Sequence, residues 1–261
     1  MKKKKTIASL LFLAVLMIAT YFVLAKCGRE LNFTQMAQFV AQGNKLCLAA
    51  ALLCMGLFIL LEAVSLRCIY RHLGQDTGLW ASIIYSASDI YYSAITPSAA
   101  GGQPASAFYM VRDGMPVSVA TSTLLLNIVC YTASLDITGV FTLACNMELF
   151  LSFPLSIQLL IVFGIGIQFV LLIFFLLCMY RSAVVYKIAV AALGLLARLH
   201  IVHNKAELDQ KLRQTIDQYA LCISMISESK WLFLKVLLLN LSQRITQILI
   251  TCFVCLSAST G

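Results

Sequence analysis

The chain has 261 residues, of which 61% are hydrophobic and 11% charged, whereas soluble domains carry roughly half apolar residues and about a quarter charged ones. So few charges cannot cover so much apolar surface in water, which excludes a soluble globular fold and points to lipid as the solvent. The formal net charge of +8 is clustered, from Lys2 to Lys5 and again from Arg181 to Lys235. With no regular interleaving of aromatics that would make a base-stacking platform, these clusters read as the cytoplasmic side of a membrane and not as a nucleic-acid surface.

The first apolar stretch, Thr6 to Ala25, is about 30 Å long as a helix and suffices to cross a bilayer. A basic start followed by an apolar run also suits a secretory signal. The length favours a retained span, however, and Lys26 before Cys27 argues against a lipoprotein cleavage box. A second span is expected at about 46–66. The stretch at about 79–95 differs, because Ser82, Ser86, Ser88, Asp89 and Ser93 stand among Tyr85, Tyr91 and Tyr92. Further spans are expected at about 116–136, 155–179 and 236–256.

Basic residues set the orientation. The lysines place the N-terminus in the cytoplasm, and Arg67, Arg71 and His72 favour the same side for the connection after the second span. The connection at 137–154 has neither Lys nor Arg and belongs outside. An odd number of crossings must separate these two connections, so 79–95 and 116–136 cannot both be full spans. The conflict disappears if residues 79–111 form a re-entrant hairpin that returns to Arg112 and Asp113. Non-helical backbone at membrane depth is tolerated where protein or a wet cavity surrounds it.

The proposed tip reads Thr96-Pro97-Ser98-Ala99-Ala100-Gly101-Gly102-Gln103-Pro104. The prolines bias Thr96 and Gln103 away from helix. Pro104 suits the first position of a new helix, and the glycines leave backbone amides uncovered by side chains. Gly102 and Gln103 then sit at a helix N-terminus that favours an anion, the device by which broken helices build transporter sites. A tight structural turn explains the same residues equally well.

Beyond residues 182–202, which fit no clear class, Leu208, Leu212, Ile216, Tyr219, Ile223 and Ile226 recur at helical spacing. They predict an amphipathic helix over about 206–227 lying on the cytoplasmic interface. The fold class expected is therefore all-α integral membrane: about five transmembrane helices, one re-entrant hairpin and a cytoplasmic interfacial helix.

Ionisable residues at membrane depth, namely Glu62, Asp89, Asp136 and Arg244, must each face protein, partner or water. Asp89 and Glu62 are candidates to receive a cationic headgroup. Arg244, beside Asn240, Ser242, Gln243 and Gln247, balances these acids, holds a phosphate or lies near a span end. His200 and His203, three apart, lack further ligands nearby, and most of the ten cysteines lie in apolar runs as small hydrophobes. Neither a metal nor a cofactor is expected, and no catalytic constellation is visible.

The run Ser93-Ala94-Ile95 through the tip to Pro104, followed by Tyr109-Met110 and Arg112-Asp113-Gly114-Met115-Pro116-Val117-Ser118, resembles the signature of the lysylphosphatidylglycerol synthase (multiple peptide resistance factor) family in its membrane region. The resemblance implies a flippase-like domain over 1–261 in a bacterial plasma membrane, handling or translocating an aminoacylated or anionic phospholipid. The candidate headgroup contacts are Thr96, Ser98, Gly101, Gly102, Gln103, Asp89, Glu62, Arg112 and Arg244. The family's two-part enzyme makes lysylphosphatidylglycerol from lysyl-tRNA and phosphatidylglycerol, conferring resistance to cationic antimicrobial peptides. Its soluble acyltransferase domain has no counterpart here, and the family's membrane region usually continues further, so a C-terminally truncated chain is expected. Phosphatidylglycerol lysyltransferase activity is the alternative, with tRNA as a partner only through a missing downstream domain. Anionic or lysylated phosphatidylglycerol is the expected partner, with a separate synthase or self-association beside it.

Overall fold

A computed structural model describes residues 43–96, 99, 101–181 and 205–259, and among them every regular element is helical. In chain order these are α1 (Lys45–His72), α2 (Leu79–Ile95), α3 (Gly102–Arg112), α4 (Val117–Cys145), α5 (Met147–Ser152), α6 (Leu155–Tyr180), α7 (Lys205–Glu228) and α8 (Lys230–Ser259). Four of them, α1, α4, α6 and α8, are long and apolar enough to cross a membrane. The expected span over 6–25 lies outside the described residues, as do residues 182–202 and the pair His200 and His203.

The observed helices overrun the expected spans because stop signals, not apolarity, set their ends. The Asn44 side chain accepts a hydrogen bond from the Leu46 amide at 3.0 Å and caps α1. Arg71 and His72 occupy its last turn, where positive charge complements the helix dipole. Pro116 and Pro154 immediately precede α4 and α6. The connection expected at 137–154 is thus largely helical: α4 continues to Cys145 and α5 follows. The amphipathic helix expected at 206–227 is α7, found at Lys205–Glu228.

Antiparallel α1 and α8 form the most extensive helix pair. The Asn44 amide meets the Ser257 carbonyl at one end, and a buried triad ties the pair to α4 further along. Ser65 Oγ donates to Asn127 Oδ1 at 2.7 Å, and Asn240 Nδ2 reaches both Ser65 Oγ and Asn127 Oδ1 at 3.3 Å. Hydrogen bonds between spanning helices are favoured because lipid offers polar groups no other partner.

Helices α2 and α3 make a hairpin packed on α1. Tyr70 and Ser82 share a hydroxyl–hydroxyl contact near the start of α2, and Ser86 Oγ donates to the Ile59 carbonyl further along, so α2 runs antiparallel to α1. Tyr85 Oη donates to Asp113 Oδ2 at 2.8 Å, which returns the end of α3 to the level at which α2 began. Gly114, with φ of 91°, then turns the chain into α4. Both feet of the hairpin therefore stand at one end of the bundle, together with Arg67 and Arg71, each 3.6 Å from Asp76. Helix α7 crosses this same end. Its Met225 carbonyl contacts His72 Nε2, Gln218 accepts from Ser118, and Tyr219 Oη donates to the Cys178 carbonyl.

The close-packed core lies at this basic end, around Leu66, Ile69, Tyr70, Tyr85, Met110 and Val236. Towards the opposite end α1 exposes Leu46, Leu52 and Leu53, and most of α6 is bare apolar surface. In a membrane these faces meet lipid. Removing the central acceptor of the triad with Asn127→Ala strands Ser65 and Asn240, and should destabilise the bundle by about 1–2 kcal/mol. Thermal unfolding in detergent should show this as a lowered Tm relative to Thr121→Ala, at a position exposed on the same helix.

Candidate functional site

The site is assembled where the hairpin meets α1 and α8. At the tip, Thr96 ends α2 in extended backbone. Its hydroxyl donates to the Tyr92 carbonyl at 2.6 Å and accepts from the Gly101 amide at 2.9 Å. The amide of Gly101 is therefore covered, contrary to the expectation of a bare one, because the threonine folds back over it. Ser98 lies outside the described residues. Helix α3 starts at Gly102, two residues before Pro104. Proline still falls in the first turn, where its missing N–H loses no helical bond.

Gly102 is required by proximity. A Cβ there would collide with the Asp89 carboxyl and the Ser93 hydroxyl, and would lie 2.6 Å from the Asp89 backbone oxygen. At Gly101 a Cβ would come within 2.5 Å of the Thr96 methyl. Asp89 thus occupies the very position beside the N-terminus of α3 that an external anion was expected to take. Its Oδ2 accepts from Gln103 Nε2 at 2.8 Å and its Oδ1 from Ser93 Oγ at 3.5 Å. A carboxyl is well placed there, because the helix dipole presents its positive end.

On α2, Asp89 stands one turn beyond Ser86, the residue that bonds Glu62, so the two carboxyls neighbour each other across the α1–α2 interface. Glu62 is buried, and its Oε2 accepts from Ser86 Oγ at 3.2 Å and from Gln243 Nε2 at 3.4 Å. The ion pairs among the described residues use Arg67, Arg71 and Arg112, and none reaches these two acids. Glu62 is buried and Asp89 half-buried, and both are held by neutral donors, so the two carboxyls offer acceptor oxygens that no basic side chain occupies.

Arg244 lies on α8 next to Gln243 and is buried. Its guanidinium rests over the Tyr131 ring at 4.3 Å and the Phe58 ring at 5.6 Å, and Nη1 donates to Gln247 Oε1 at 2.6 Å. Arg112 is elsewhere. It is exposed at the foot of the hairpin, 3.8 Å from Asp113 and over the Tyr109 ring, a full length of α3 from Gly102. The structure thus brings together Glu62, Asp89, Gln103 and Gly102, places Thr96 and Gly101 just beyond, sets Arg244 beside the group and separates Arg112 from it. Asp136 is buried on α4 with neither carboxyl oxygen partnered.

Sequence reasoning missed Ser65 and Asn127 as parts of the polar interior. Asn127 had a readable signal, a lone amide inside Leu124-Leu125-Leu126-Asn127-Ile128-Val129. No group of three metal-ligating side chains occurs among the described residues. Of the cysteines, Cys130 is buried, whereas Cys252 and Cys255 are exposed.

The family profile described as lysylphosphatidylglycerol synthase TM region matches residues 6–260. No curated protein and no solved structure matches.

The close approach at Gly102 makes a sharp comparison. Gly102→Ala should separate α3 from α2 and lower the Tm by several degrees, on the order of 1–3 kcal/mol of overpacking. Gly56→Ala, whose Cβ meets nothing within 4 Å, should leave the Tm within about a degree. Equal Tm values for the two variants would contradict the tight contact.

Proposed function

The chain belongs to the lysylphosphatidylglycerol synthase transmembrane-region family, and on that premise we propose that it handles phospholipid headgroups and moves an aminoacylated or anionic phospholipid between leaflets. The observation that carries this reading is the Glu62–Asp89 pair, Glu62 buried on α1 and Asp89 half-buried on the hairpin, with neutral hydrogen-bond donors and no basic partner among the described residues. A charge at membrane depth is retained against a penalty of about 2.5–3.5 kcal/mol on insertion scales. Two acids placed together serve a cationic group that passes, such as the ammonium groups of a lysyl headgroup. Gln103 and Gln243 hold the carboxyls in place from α3 and α8, and Gly102 lets α3 approach closely enough for this. In the proposed setting the hairpin is re-entrant, entering and leaving from the basic, cytoplasmic side of a bacterial plasma membrane.

The topology is checked with single cysteines at Leu79 and Arg112 in a background lacking the native cysteines. A membrane-impermeant maleimide should label both from the cytoplasmic side. Labelling from opposite sides would remove the re-entrant hairpin.

Transport is checked in proteoliposomes carrying lysylphosphatidylglycerol in the inner leaflet, its appearance outside being followed with an impermeant amine reagent. Glu62→Gln with Asp89→Asn should slow exposure about tenfold or more, while Arg112→Gln should change it little. Unchanged exposure in the double variant would sink the assignment of the acids. The family's description also names a synthase. Formation of lysylphosphatidylglycerol by the purified chain from lysyl-tRNA and phosphatidylglycerol would replace translocation with lysyl transfer.

A further inference from the structure

Arg244 has a free edge. The residue is 4% exposed in a helix long and apolar enough to span a membrane, and a guanidinium stays charged under all ordinary conditions. Nη1 is taken by Gln247, while Nε and Nη2 are buried with no hydrogen-bond partner. Those two nitrogens form the side of the guanidinium whose N–H bonds run parallel and match two oxygens of one oxyanion. The rings of Tyr131 and Phe58 support the plane from α4 and α1, fixing its orientation without using its donors.

The chain's own acids do not fill this edge. Among the described residues no ion pair includes Arg244. Glu62 stands one turn from Phe58 on α1, about 6 Å along the axis, but its carboxyl is engaged by Ser86 and Gln243. A buried cation whose donors remain unmatched inside the protein is a binding position awaiting a counter-charge.

The geometry points to the Nε–Nη2 edge of Arg244 as a bidentate oxyanion site at membrane depth, taking a phosphate-type group distinct from the cationic group proposed for Glu62 and Asp89. Two sources share that chemistry, the phosphodiester of a lipid headgroup and free inorganic phosphate. Only the lipid source rests on the translocator reading. The site also relocates the anion position, since Asp89 already sits at the N-terminus of α3.

The test uses the full chain purified in mild detergent with phosphatidylglycerol micelles, scoring lipid retained through gel filtration by mass spectrometry, with and without millimolar inorganic phosphate. Arg244→Gln should lower retention about tenfold or more. Arg244→Lys, which keeps the charge but loses the fork, should fall between. Should Arg244→Gln aggregate, the lysine variant decides alone. Retention that phosphate leaves untouched identifies the headgroup as occupant. Displacement by phosphate identifies a general oxyanion site, and both results support the inference. Wild-type retention in the folded variants overturns it. Because the readout is retention, loss of transport in the Glu62 and Asp89 variants neither supports nor removes this site.

Discussion

Polar groups placed inside apolar helices have to be met by other parts of the protein, because lipid tails offer no hydrogen bonds. In this chain Glu62 and Asp89 sit within α1 and α2, and their requirements join four elements. Ser86 comes from α2, Gln103 from α3 and Gln243 from α8. The Ser65–Asn127–Asn240 triad adds α4 about one turn away. The packing of the hairpin against the long helices follows from this shared interior as much as from apolar contact.

The same interior explains why the hairpin needs glycine. Two half-helices joined at a tip normally stand apart by the width of their side chains. Here Asp89 must reach the first turn of α3, and it does so only because Gly102 presents no Cβ to its carboxyl. Thr96 completes the arrangement by capping the Gly101 amide and the last turn of its own helix with one hydroxyl. The Thr96 hydroxyl thus covers the one tip amide whose partner is described, and the binding positions proposed are the acid pair and Arg244.

Packing is uneven along the bundle. Large side chains interlock at the basic end, where α7 crosses and the hairpin has its feet. The opposite halves of α1 and α6 expose leucine, phenylalanine and isoleucine. Tightness at one end fixes the geometry of the helices that carry the acids, while the looser half presents bare apolar surface to the surrounding lipid.

Much of this was legible in the residues. Apolar runs of about 20 residues dictate spanning helices in lipid, the 3.6-residue spacing of Leu208 to Ile226 dictates α7, and the prolines and glycines of 96–104 dictate a break between two helices. These properties are local and need no partner. Tertiary structure alone decided which groups meet. Whether the N-terminus of α3 faces an external anion or Asp89 depends on how closely α2 and α3 approach. Whether Arg244 neutralises Glu62 or keeps a free edge depends on Tyr131 and Phe58, more than 70 residues apart along the chain. A pattern along one strand of sequence carries no information on such distances, because they are set by the packing of helices far apart in the chain.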